Sequence, residues 1–257
     1  MPILPARRIG ILFTPMAFSR PRRPDDAAPE RAPRPLAPGT VTRLTAQEKN
    51  ADRVSVYLDG AFAFGVHQDL VLEYGLHRGR VLDVDEQQAI ADADARLGAR
   101  STALAYLSYR ARSRREVAGK LAERGTPGAV AEETLAWLEE RGYLDDAAYA
   151  EQYAQSRSRA HGYGPERVRM ELLRRGVDRE TAEAAVRGAF EAEETLETAR
   201  THAHKRWPAL LREPDARKRR RKLFDFLVRR GFSFDVAGRV VAEVVEGGDD
   251  PEGDDGA

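Results

Sequence analysis

From Val41 to about Ala63 apolar and polar residues alternate, the period of a strand with one buried face. Val54, Val56 and Leu58 fall on one side, Asp59-Gly60 follows, and a second run extends from Ala61 to Val66. An Asp-Gly pair between alternating runs predicts a hairpin closed by a type I′ turn, whose central residues both need positive φ. Val41 to Leu44 supplies a candidate third strand. Asp69 is then placed to cap a helix through Val71, Leu72 and Tyr74, with Gly75 as its stop. Asp83 through Ala95 reads as a helix leading out of this small α+β module.

Beyond residue 100 the apolar spacing is helical, and one unit recurs. Its anchor is Leu-x-x-Arg-Gly, found as Leu121…Arg124-Gly125, Leu172…Arg175-Gly176 and Leu227…Arg230-Gly231. Aligned on the glycines, Val117, Val168 and Leu223 share a column upstream. Ala131, Ala182 and Ala237 share one downstream, as do Leu135, Val186 and Val241, and then Leu138, Ala189 and Val244. Agreement in so many columns is the signature of an internal repeat.

The helix ends follow from the same residues. Ser113-Arg-Arg-Glu116 is a capping box, Gly164-Pro165 puts proline at a first helical position, and Asp145 caps the helix after it. Each repeat glycine suits the left-handed position past a helix end, with the arginine before it opposing the negative pole of the dipole. Pro127, Asp178 and Ser233 then open the next helix, and earlier helices run over 103–109, 146–157 and 193–206. The expected fold is therefore mainly α: an elongated array of tandem three-helix, helix-turn-helix-like repeats behind an N-terminal hairpin module. Its divisions are a disordered Pro/Arg-rich arm (1–39), the module (40–99), repeats at 100–144, 145–190 and 191–246, and a disordered acidic tail (247–257).

Composition sharpens this picture in three places. Charged residues make up 33% and aromatics 7%, which suits small helices better than a β-sandwich. Cysteine is absent, which removes disulfides, thiolate metal sites and a thiol nucleophile. The formal net charge of zero conceals a basic arm with seven Arg and most of the prolines, and six acids with no base from Glu246 onward. No apolar run approaches the roughly 20 residues that span a bilayer, so a cytoplasmic chain with no membrane partner is expected.

Ser113-Arg-Arg-Glu116-Val-Ala-Gly-Lys120-Leu121…Gly125 is followed by Leu138-Glu-Glu-Arg141-Gly-Tyr143-Leu144-Asp145-Asp146-Ala-Ala-Tyr149-Ala150. With Gly164…Leu172-Leu173-Arg-Arg-Gly176-Val177, these segments resemble the RecX family of bacterial regulatory proteins. The resemblance spans roughly 41–245 and is strongest over the first two repeats. It implies a non-enzymatic modulator of the RecA recombinase in DNA repair and recombination, lying in the groove of the RecA–DNA filament and bridging subunits. Restraint of filament growth, strand exchange and co-protease activity is the usual effect in that family, and some members also bind DNA. An array of three units of helices 10 to 13 residues long would reach about 60 to 80 Å, enough to touch several subunits of a polymer.

Candidate contact residues lie in two clusters. From Thr195 to Gly231 twelve bases face four acids, and six are consecutive: Arg217, Lys218, Arg219, Arg220, Arg221 and Lys222. At the front of a helix, where the dipole is already positive, such a run favours phosphate or an acidic protein. Arg229 and Arg230 extend it, and the acidic tail is a candidate competitor for it. The second cluster, Arg157, Arg159, Tyr163, Arg167 and Arg169, surrounds the Gly162–Gly164 break and is a candidate partner contact, with Tyr163 first a packing residue. His202-x-His204 points to two helix faces, so no metal site is expected, nor any catalytic residue or cofactor. The chain is expected to act as a monomer on the RecA filament, with single- or double-stranded DNA as a second contact. The alternative is a direct DNA-binding helix-turn-helix regulator, against which stand acidic or apolar third helices such as 129–139.

Overall fold

In the computed structural model, residues 37–48 and 50–247 are described. The expected basic arm and acidic tail fall almost wholly outside them. Every element belongs to the unit Pro38–Ala257. Strands β1 (Gly39–Gln47), β2 (Asn50–Leu58) and β3 (Ala61–His67) form an antiparallel meander, and β4 (Val81–Leu82) joins its far edge in the order β3-β2-β1-β4. Asp59 and Gly60 have φ of 50° and 85°, the turn that the Asp-Gly pair predicts. Val41, Val56, Leu58, Val66 and Leu82 are buried from the sheet side. Helix α1 (Gln68–Glu73) lays Leu70 on them, and Ile90 comes from α2 (Val84–Leu107).

The structure corrects three details. His67 caps α1 in place of Asp69, its Nδ1 accepting from the Asp69 amide at 3.3 Å. β4 lacks the length to carry an alternating pattern, so the sequence gives no sign of it. Most consequentially, the two helices expected at 83–95 and 103–109 are one continuous 24-residue helix, so the division at 99/100 falls inside α2. An Asp83–Glu86 capping box starts it. Its first half packs Ile90 on the sheet, while Ala99 and Ala103 serve the core of the first repeat. Arg53 locks this junction, bonding the Gly65 carbonyl at 2.9 Å and Asp94 of α2 at 2.8 Å, while Asp94 also accepts from the His67 amide at 2.9 Å. These bonds occupy polar groups of the edge strand β3 that would otherwise be open to another strand.

The second half of α2, with α3 (Arg114–Glu123) and α4 (Gly128–Glu140), forms the first three-helix repeat. The second comprises α5 (Asp146–His161), α6 (Pro165–Arg174) and α7 (Arg179–Ala189). The third comprises α8 (Ala192–Leu210), α9 (Ala216–Arg230) and α10 (Phe234–Gly247). Each repeat buries its own apolar columns, with Leu121, Leu172 and Leu227 fully enclosed. Gly125, Gly176 and Gly231 take φ of 74°, 85° and 94°. The residues after them donate back to Leu121, Leu172 and Leu227 at 3.0, 3.2 and 3.2 Å, the Schellman closure of a helix end.

Two seams join the repeats, each setting the Arg-Gly end of one middle helix against the N-terminus of the preceding one. In the first, the Ser113 hydroxyl donates to the Arg175 carbonyl at 2.5 Å, and Arg175 Nη1 reaches Glu116 at 3.1 Å. In the second, the Gly164 and Glu166 amides donate to the Arg230 and Gly231 carbonyls at 2.8 and 3.0 Å.

Candidate partner interface

Asp215 caps α9 by accepting from the Arg217 and Lys218 amides at 2.9 and 3.1 Å. The Lys218 backbone bond leads the contacts that hold its carboxyl below the usual range, so it stays ionised and partly offsets the cluster beside it. The consecutive basic run then divides by helical phase. Arg219 turns inward, 6% exposed, and donates to the Glu213 and Pro214 carbonyls at 2.9 and 3.1 Å. It ties down the loop before α9 and leaves the set of contact residues. The cause is periodicity: residue 219 lies one turn before the buried Leu223.

The remaining side chains are exposed but not equally available. Lys222 pairs with Glu213, Lys218 lies 3.7 Å from Asp215, and Arg221 lies 4.0 Å from Asp225. Arg217, Arg220 and Arg229 carry no ion pair among the described residues. Arg217, Arg220 and Arg221, spaced three and four residues apart, present one guanidinium face. Arg230 is instead a seam residue: its Nη1 donates to the His161 carbonyl at 3.2 Å and stands 3.2 Å from His202 Nε2. Burial first, then the Arg230 charge, hold His202 below the usual imidazole range, while His204 on the same helix is exposed. Among the described residues no cluster of His, Asp or Glu could hold a metal ion.

The second predicted cluster separates as well. Arg169 pairs with Glu166 at 2.7 Å on the outer face of α6, and Arg159 is exposed on α5. Arg167 lies 3.7 Å over the Tyr163 ring and pairs with Glu171 at 3.1 Å. Tyr163, stacked on His161 at 5.3 Å, packs partly buried against the core of the second repeat. Arg157 and Tyr163 are brought together with Tyr153, Glu171, Arg174 and Arg175 around a cavity of about 340 Å³. Sequence reasoning missed the last four. Arg174 and Arg175 read there as bases at a helix end, and nothing local shows that α5 and α6 converge over them. The guanidinium groups of Arg100 and Arg141 lie 4.9 and 4.8 Å from the Trp137 ring, which stacks on Tyr143 at 6.0 Å.

Among the described residues no helix is long and apolar enough to cross a membrane. Family models match along the chain in order: the RecX N-terminal domain at 39–83 and the first, second and third RecX three-helix domains at 99–138, 145–186 and 192–241. The regulatory protein RecX of Bacillus licheniformis is 34% identical over 220 residues, covering 84% of this chain and 80% of its own length. That of Clostridium acetobutylicum is 31% identical over 80% of this chain and 96% of its own. A crystal structure of regulatory protein RecX superposes with a TM-score of 0.63 at 31% identity, covering 79% of this chain and 98% of that one. RecX from Lactobacillus salivarius gives a TM-score of 0.55 at 27% identity over 60% of this chain and 99% of its own. Hairpin module, three glycine-closed repeats and relatives matched along most of their length agree: this chain belongs to the RecX family of regulatory proteins.

Proposed function

We propose that the chain is a non-enzymatic regulator of the RecA recombinase, acting in the cytoplasm on the RecA–DNA filament and restraining its growth, strand exchange and co-protease activity. The observation that supports this most directly is the pair of seams. They fix three small helical units to one another, so one chain offers several surfaces at set spacings to a polymer whose subunits also repeat. The exposed guanidinium face of Arg217, Arg220 and Arg221 is the surface best suited to the phosphates of the filament's DNA. Arg159 and Arg169 extend the basic surface of the second repeat toward a protein partner. A monomer suffices, because repetition lies within the chain.

The deciding experiment measures affinity for RecA-coated and for bare single-stranded DNA, with filament length read by electron microscopy. Tighter binding to the coated strand and shorter filaments at stoichiometric protein are expected. Equal affinity for both, with filament length unchanged, would favour a direct DNA-binding regulator. Replacing Arg217, Arg220 and Arg221 with alanine should flatten the slope of log affinity against log salt by about 2 on single strands, at about 0.7 per lost phosphate contact.

A further inference from the structure

The cavity between α5 and α6 has a composition that packing does not explain. Of its six lining side chains, three are guanidinium groups and one is a carboxylate. Glu171 is already engaged on both oxygens: Oε2 accepts from the Tyr153 hydroxyl at 2.6 Å and Oε1 from Arg167 at 3.1 Å. Arg157 lies 3.9 Å from it, outside hydrogen-bond distance. Arg174, exposed at the end of α6, has no ion pair among the described residues. Arg175 gives Nη1 to Glu116 and to the Tyr149 hydroxyl, at 3.1 and 3.2 Å. Positive charge therefore exceeds what the protein itself neutralises there. The walls are also flat: the guanidinium groups of Arg157 and Arg175 lie 4.9 and 4.8 Å from the Tyr153 ring centroid.

We propose that this cavity binds one nucleotide, its phosphate on Arg157 and Arg174 and its base against the planar guanidinium groups that lie over Tyr153. Planar guanidinium groups match phosphate oxygens two at a time and also stack on bases. The hollow opens to solvent and holds about 340 Å³, room for a base and a phosphate together and not only for a carboxylate. The ligand chemistry, a nucleoside phosphate, has two sources: a free nucleotide, or one residue of a single strand. The site is distinct from the α9 face, and its occupancy does not depend on RecA regulation.

Isothermal titration of the full chain, without RecA, with thymidine monophosphate, inorganic phosphate, a ten-residue oligothymidylate and a glutamate-rich peptide tests this directly. A dissociation constant of about 1 mM or tighter for the monophosphate, weakened about tenfold by Arg174→Ala and by Arg157→Gln, is expected for a free-nucleotide site. If only the oligothymidylate binds and both variants weaken it, the site takes a nucleotide of a strand. Arg179→Ala, at an exposed side chain of α7 outside the cavity, should leave either affinity unchanged; an equal loss there would mean diffuse surface charge and overturn the proposal. Inorganic phosphate binding as tightly as the nucleotide, the peptide alone showing the arginine dependence, or no nucleotide binding sensitive to Arg174→Ala would each overturn it too.

Discussion

The two seams put equivalent parts of equivalent repeats together, yet they use different chemistry. Between the first and second repeats the contact is made by side chains. Ser113, fully buried, accepts from the Glu116 amide at 3.2 Å as a helix cap and donates to the Arg175 carbonyl as part of the seam. Glu116 faces Arg175, Arg110 and Arg112 at 3.1, 3.4 and 3.8 Å. Between the second and third repeats, backbone meets backbone through Gly164, Glu166, Arg230 and Gly231. A Cβ on Gly164 would collide with the Gly231 carbonyl and the Phe232 amide, and one on Gly231 with the Arg167 backbone. One repeat geometry can thus be held by replaceable polar side chains or by the absence of side chains. The second solution tolerates fewer substitutions.

Substitutions in the shared glycine column break the comparison most sharply. Gly231→Ala combines a disfavoured positive φ with collision against fixed backbone, and should cost about 4 kcal/mol in a urea or thermal melt followed by circular dichroism. Gly176→Ala has the same φ penalty, but its collision is with the Arg115 side chain, which can move in part, so about 2 to 3 kcal/mol is expected. Glu116→Gln keeps the oxygen that caps α3 and removes the charge facing three arginines. A loss of about 1 to 2 kcal/mol, shrinking at high salt, would mark the first seam as electrostatic. Gly125→Ala meets open space, so only the φ penalty of about 1 kcal/mol remains. If all three glycine variants cost the same, the seams contribute nothing beyond helix closure.

Acid should separate the seams further, by the smallest amount. His202, at the second seam, is held below its unfolded value of about 6.5, so the unfolded chain binds its proton more readily. Stability from this group is complete above that value and declines as pH falls below it. Asp146 accepts from the Arg114 amide at 2.8 Å at the first seam and is pushed up, by burial first and then by Glu139. Its folded form holds a proton that the unfolded form releases, so acidification through that window adds stability. Thermal midpoints between pH 7.5 and 5.5 should therefore fall in the parent chain and fall less in His202→Gln.

Much of this architecture is legible without coordinates, and the failures have physical causes. The Asp-Gly turn, the capping boxes, the proline start of α6 and the glycine ends are local: a few adjacent residues fix backbone angles and satisfy each other's donors. The buried columns follow from helical period alone. The helices expected at 83–95 and 103–109 join because Gly98 is carried inside the helix, so α2 runs on and is shared by two cores. A charge run is legible along the chain, whereas exposure is decided around the helix, which turns Arg219 inward. The arginine-lined cavity is not legible in the sequence because its walls come from two helices.

The amino-acid order by itself determined the hairpin turn, most helix starts and the glycine ends of the repeats, and that a unit of three helices recurs, since those depend on neighbours within about five residues. Only the tertiary structure decided which repeat end meets which helix start, which arginines are engaged at the seams, and where α5 and α6 leave a charged hollow. Those outcomes depend on surfaces from residues 18 to 69 positions apart, whose matching is set by close packing and not by any local rule.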